Sequence, residues 1–193
     1  MEKVILGIDP GTRVLGYSIL IVDEGKPRLE VMDVLYLKNI AEFNLRLRKI
    51  FDSTQRIIDT YHPDHLAIEA PFFGKNVQSM LKLGKAQGVA IAAALSRDIS
   101  FTELEPATIK QTVTGNGNAT KEQVVMMLRS ILGFADEPKY LDASDALAAA
   151  YTYWMIDSNP LADVREALKP KKRKSKKQSW SEFVQQNPDI VKD

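Results

Sequence analysis

Short apolar runs separated by turn residues organise the first third of the chain. Val4 to Ile8 reads as a strand, Pro10-Gly11 as a tight turn, and Gly16 to Val22 as a second strand. A further turn at Asp23 to Pro27 leads to a third strand from about Arg28 to Leu37, so the start of the chain predicts an antiparallel meander. From Ala41 to about Tyr61 the apolar positions Phe43, Leu47, Ile50, Ile57 and Ile58 follow helical spacing, and His62-Pro63-Asp64 stops that helix. A fourth strand, Leu66-Ala67-Ile68, follows at once. A second helix is predicted from about Asn76 to Ser96, a fifth strand from Ser100 to Leu104, and a short helix from Pro106 through Val113. Thr120 and Gln123 have the spacing of a capping box for a helix through Leu132, and a last helix runs from near Asp142 to about Ile156. A meander followed by alternating helices and strands predicts an α/β fold: a five-stranded mixed sheet with helices on both faces.

Two of these strands end on an acid. Val4 to Ile8 leads into Asp9, and Leu66-Ala67-Ile68 leads into Glu69. Apolar runs of this kind are buried on both faces, and a charge stationed at their end costs free energy unless something pairs with it. In sheets of this class, sites form at the carboxyl ends of parallel strands. Asp142 and Asp145 stand three apart at the start of the last helix, so they project from one face and meet the positive end of its dipole. Taken singly, Asp9 before Pro10-Gly11 is also a good turn residue and Asp142 a good helix cap. Glu69 has no such local role. The four together predict a divalent-cation site.

Composition narrows the chemistry. The 193 residues contain no cysteine, which excludes disulfides, thiolate zinc sites and thiol nucleophiles. Hard oxygen donors then favour Mg²⁺ or Mn²⁺. Two such ions about 3.5–4 Å apart can activate a water and stabilise the leaving oxygen of a phosphodiester. The chain is 45% hydrophobic and 26% charged, and no stretch approaches the roughly 18 apolar residues of a membrane span. With no basic leader visible before the first strand, a cytoplasmic location is the simplest expectation.

The formal net charge of +1 hides an asymmetry: residues 169–193 carry net +5 and residues 1–168 net −4. The expected organisation is a globular domain over 1–157, a basic linker over 158–178 and a short amphipathic tail over 179–193, with Trp180 and Phe183 on one face of a possible turn. Such a linker would add salt-sensitive affinity for a polyanion such as a nucleic acid.

The chain also resembles a known family, the RuvC Holliday-junction resolvases, whose fold is ribonuclease H-like. The resemblance runs from about residue 4 to residue 155. It is carried by Gly7-Ile-Asp9-Pro-Gly-Thr-Arg-Val-Leu-Gly16-Tyr17, by Ala67-Ile-Glu69 with Phe72 and Lys75-Asn76 after it, by Leu81-Lys-Leu-Gly84, by Lys110-Gln-Thr-Val-Thr-Gly115, and by Asp142-Ala-Ser-Asp145-Ala-Leu-Ala148. It implies that Asp9, Glu69, Asp142 and Asp145 bind two catalytic Mg²⁺ ions, for which Mn²⁺ can substitute, with Asp9 touching both. It implies a homodimer making paired, symmetric cuts across a four-way DNA junction in recombination and repair. It further points to Phe72 near the junction centre, Lys75 and the scissile-backbone lysines Lys110 and Lys121 as DNA contacts, and to a branch-migration helicase complex as partner. An aromatic ring can stack on an exposed base and a lysine can neutralise a phosphate, whereas the plain alternatives are an apolar plug over the sheet edge and solvated surface.

Other features carry less. Gly115-Asn-Gly-Asn118 lacks phosphate-loop spacing and reads as a chain reversal. His62 and His65 precede the Glu69 strand, and His65 sits about 13 Å from Glu69, at the wrong end for a general base. Gly84, Gly88 and Ala92 make a flat stripe on the second helix, suited either to packing on its own sheet or, in the family reading, to a dimer interface. Competing functions remain open: a related nuclease acting on RNA or RNA–DNA hybrid, or a junction-binding module with a dead metal site. An actin-like phosphotransferase also places Asp-x-Gly-Thr after a first strand, but its two lobes need a longer chain.

Overall fold

A computed structural model describes residues 2–71, 76–134 and 141–159. The strands are β1 (Lys3–Asp9), β2 (Val14–Asp23), β3 (Lys26–Tyr36), β4 (His65–Glu69) and β5 (Ser100–Leu104). The helices are α1 (Phe43–Tyr61), α2 (Val77–Leu95), α3 (Pro106–Thr114), α4 (Lys121–Leu132) and α5 (Leu141–Asp157). Every strand and helix expected between residues 4 and 156 is present, with ends moved by a residue or two, while the expected basic linker from residue 160 on and the tail with Trp180 and Phe183 lie outside the described residues. Among the described residues no helix is long and apolar enough to cross a membrane.

The strand order is β3-β2-β1-β4-β5. β1 pairs antiparallel with β2 and parallel with β4, and β4 pairs parallel with β5. β1 therefore lies at the centre, with its carboxyl end beside that of β4. Alternation along the strands sorts two cores. Ile5, Leu20 and Ala67 pack with Ile109, Val113, Val124, Leu128 and Leu147 from α3, α4 and α5. Leu6, Ile8, Leu66 and Ile68 pack on the opposite face with Ile50, Ile57 and Ile58 of α1 and Ala86, Ala90 and Ala94 of α2.

Local chemistry sets the breaks. α1 ends at His62 in the left-handed region (φ 47°). Asp64 then ties the chain to β1, accepting from the Val4 amide at 2.7 Å and donating to the Val4 carbonyl at 2.8 Å. Thr120 and Gln123 form both bonds of the capping box that starts α4, a device worth about 1 kcal/mol. α5 is lined by small residues: Ala143, Ala146, Ala148, Ala149 and Ala150 are all buried.

Two strand glycines let α5 lie close on the sheet. A Cβ on Gly7 would stand 2.0 Å from the Ala146 carbonyl oxygen, and one on Gly16 would stand 1.8 Å from the Asp142 carbonyl oxygen. Gly16 pairs with Asp9 across β1 and β2, so the close approach falls beside the first acid.

The far ends of the same elements are fastened together. Lys3 at the start of β1 pairs with Asp157 at the end of α5 at 2.6 Å and lies over the Tyr153 ring, 5.0 Å from its centroid. Tyr153 stacks on His65 at the start of β4, with centroids 3.9 Å apart. Both His65 ring nitrogens are engaged, Nδ1 with Ser100 Oγ at 2.8 Å and Nε2 with Thr102 Oγ1 at 2.9 Å. The histidine is a packing residue, as its distance from Glu69 implied.

Candidate active site

Asp9 and Glu69 come abreast because β1 and β4 run parallel in register, with Ile8 beside Ile68 one residue earlier. Both side chains belong to the α5 face, two residues on from Gly7 and Ala67, which pair with each other. The backbone after Glu69 is held from two directions. The Gln87 side-chain amide donates to the Glu69 carbonyl at 3.3 Å, and the Ala70 amide donates to the Leu104 carbonyl at 2.9 Å. Asp142 and Asp145 enter from the first turns of α5, and both are half-buried.

Burial pushes the Asp9 carboxyl up to about 8, and the charges of Glu69, Asp145 and Asp142 add to the rise while Lys121 opposes it. Glu69 is raised to about 7, first by burial and then by Asp145, against the pull of Lys121 and Lys110. Asp145 is also raised by burial, an effect that its hydrogen bond to Lys121 resists. For Lys121, burial works against the charge, but the hydrogen bond to Asp145 and the nearby acids outweigh it and hold the ammonium above its usual value. These cross-influences place all four acids in one electrostatic cluster.

The structure also brings both predicted lysines to it. Lys110 of α3 and Lys121, the first residue of α4, line a small cavity of about 40 Å³ with Glu69 and Asp145, and Lys121 is ion-paired to Asp145. The donors are all oxygen, which suits a hard divalent cation. Among the described residues, no group of three or more His, Asp or Glu side chains is set so that it could hold a metal ion as it stands. Lys121 already supplies a counter-charge to Asp145. Phe72 and Lys75 lie outside the described residues.

The family model of Crossover junction endodeoxyribonuclease RuvC matches residues 5–153. A Crossover junction endodeoxyribonuclease RuvC of Bacteroides fragilis is 49% identical over 193 residues, covering 99% of this chain and 97% of that relative. One of Porphyromonas gingivalis is likewise 49% identical, covering 99% of this chain and 98% of its own length. The chain belongs to the RuvC family. Among solved structures, Thermus thermophilus RuvC in complex with a Holliday junction substrate superposes with a TM-score of 0.72 at 30% identity, covering 78% of this chain and 92% of its own. The mixed sheet and its helices thus have the ribonuclease H-like fold of RuvC.

Sequence reasoning assigned no role to the two glycines that seat α5, although a glycine inside a strand is itself a sign of close backbone approach. It also missed an open cleft of about 740 Å³ on the other side of the β1–β2 turn, where Thr12, Arg13, Arg46 and Lys82 converge. On α2, Gly84 and Gly88 have nothing within 4 Å of where a Cβ would stand. That stripe is therefore not packed against its own sheet.

Proposed function

We propose that this chain is a divalent-metal-dependent endonuclease that resolves four-way DNA junctions by paired, symmetric phosphodiester hydrolysis in recombination and repair. The observation that carries the reading is the convergence of Asp9, Glu69, Asp142 and Asp145 at one end of the sheet, with Lys110 and Lys121 beside them, in a member of the RuvC family. Asp9, Glu69, Asp142 and Asp145 would hold Mg²⁺, two ions per subunit. Bound there, the cations would supply Lewis acidity toward phosphate oxygens and activate water for attack. Lys110 and Lys121 present their ammonium groups to the backbone at the scissile phosphate, offsetting its charge and displacing its counterions. The resemblance assigns Phe72 to the junction centre and Lys75 to a DNA contact.

A homodimer is part of the proposal. Val77, Leu81, Gly84, Gly88 and Leu95 follow a heptad-like spacing on α2, and Val77, Leu81 and Leu95 are more than half exposed. With Gly84 and Gly88 open, a second helix could approach this face closely. A cytoplasmic setting and a branch-migration helicase partner accompany the family reading.

Cleavage of a mobile four-way junction, with and without Mg²⁺, tests the activity. Linear duplex, RNA–DNA hybrid and structured RNA serve as rival substrates. Asp9→Asn is expected to lower junction cutting about a thousandfold, roughly 4 kcal/mol of barrier, while junction binding is kept or improved. Equal trace-level cutting by both proteins would leave only a binding module.

A further inference from the structure

The cleft beside the β1–β2 turn has no role in the carboxylate site. It is bounded by the turn itself, the start of α1 and the first half of α2. These helices cover the sheet face opposite α5, so the cleft reaches the carboxyl end of β1 from the other side to Lys110 and Lys121. Among the described residues three cations line it and no acid does, in a stretch, residues 1–168, that carries net −4. Arg46 is fixed in place: its Nε donates to the Ile40 carbonyl at 2.6 Å and its Nη1 to the Thr12 carbonyl at 3.1 Å. The guanidinium thus staples the turn after Asp9 to the segment that enters α1. Arg13 and Lys82 are exposed, and neither has an ion-pair partner among the described residues. Thr12 and Ser79 add neutral hydroxyl donors.

We propose that this cleft binds the phosphodiester backbone of the junction at a second place, separate from the scissile phosphate. The proposal rests on the junction-nuclease reading above and deepens it. Unpaired cations around a fixed guanidinium, with hydroxyls between them, match a run of phosphates. The cleft is some twenty times the volume of the cavity at the acids, so it has room for a strand. Four residues separate Arg13 from Asp9, a reach of at most about 14 Å, or about four nucleotides of strand rise. A strand leaving the acids around the end of the sheet would therefore meet Arg13 within half a turn of duplex, with Lys82 lining the same cleft.

The test is the salt dependence of junction affinity, read by fluorescence anisotropy in EDTA between 50 and 200 mM salt. The double variant Arg13→Ala/Lys82→Ala is expected to flatten the slope of log K against log salt by between one and two, since each phosphate contact contributes about 0.9. Its affinity should fall tenfold or more. A second pair, Lys49→Ala/Arg56→Ala, removes two exposed cations of α1 outside the cleft and is expected to leave the slope unchanged. Arg13→Gln and Lys82→Ala made singly should each flatten it by about half as much, which keeps the test open if the double variant folds poorly. An unchanged slope in the cleft variants, or an equal change in the α1 pair, overturns the proposal. Failure of the wild-type protein to bind or cut the junction would instead overturn the function on which it rests.

Discussion

A carboxyl whose pKa rises from 3.8 in the unfolded chain to about 8 in the fold opposes folding at neutral pH, because the unfolded state gives up its proton first. For Asp9 the folded state's advantage is whole below about pH 4 and is lost progressively as pH rises to about 8. Glu69 acts in the same direction from 4.5 to about 7. Thermal melts of the protein in EDTA should therefore show Tm falling from pH 4 to 8. Asp9→Asn is expected to remove much of that slope and to raise Tm at pH 8 by about 3–8 °C, the equivalent of about 1–3 kcal/mol. Parallel slopes in the two proteins would show that Asp9 is not held in a charge-averse setting. The identities of these acids were legible in the sequence, because a carboxylate closing a doubly buried strand is costly unless a cation or a donor meets it. The Lys121–Asp145 ion pair was not. Nothing in local spacing shows that the first residue of one helix reaches the second turn of another.

The seating of α5 links elements far apart in the chain. Substituting Gly16 with alanine would place a methyl 1.8 Å from the Asp142 carbonyl oxygen, so the helix must lift or the strand must bend. Overpacking of this kind costs about 1–3 kcal/mol, and a displacement near 1 Å at reacting groups lowers rate about a hundredfold. Gly16→Ala is thus expected to cut junctions about a hundredfold more slowly while still binding them, as single-turnover assays alongside binding would show. A rate within threefold of wild type would mean that the acids tolerate the shift. Element boundaries themselves were readable: His62-Pro63-Asp64, the Thr120 capping box and the Ser100 to Leu104 strand all declared themselves through short-range chemistry. The basic cleft did not, since Arg13, Arg46 and Lys82 belong to three segments spread over 69 residues, and each alone looks like an ordinary surface cation. The α2 stripe was visible as a pattern, yet only the open space around Gly84 and Gly88 shows that its own sheet does not use it.

For the whole molecule, the exposed heptad-like face of α2 bears on how two cuts are coordinated. Leu81→Asp places a charge in the middle of that face and is expected to shift the protein from a dimeric to a monomeric sedimentation coefficient. The same variant should nick junctions singly instead of resolving them in symmetric pairs. A monomeric coefficient for the wild type would overturn the proposed dimer, and a dimeric coefficient kept by the variant would move the interface elsewhere. Within the chain itself, the fastening of Lys3, His65, Tyr153 and Asp157 sets a different constraint. It lies at the opposite end of β1, β4 and α5 from the acids these elements carry, about 18 Å along the helix from Asp145. A tilt of α5 by roughly 3° about Asp157 would carry Asp145 close to 1 Å, and the close seating of Asp142 on Gly16 and of Ala146 on Gly7 blocks that motion toward the sheet. Clamped at its far end and bedded on two glycines at its near end, α5 presents its carboxylates at a spacing that the sheet dictates.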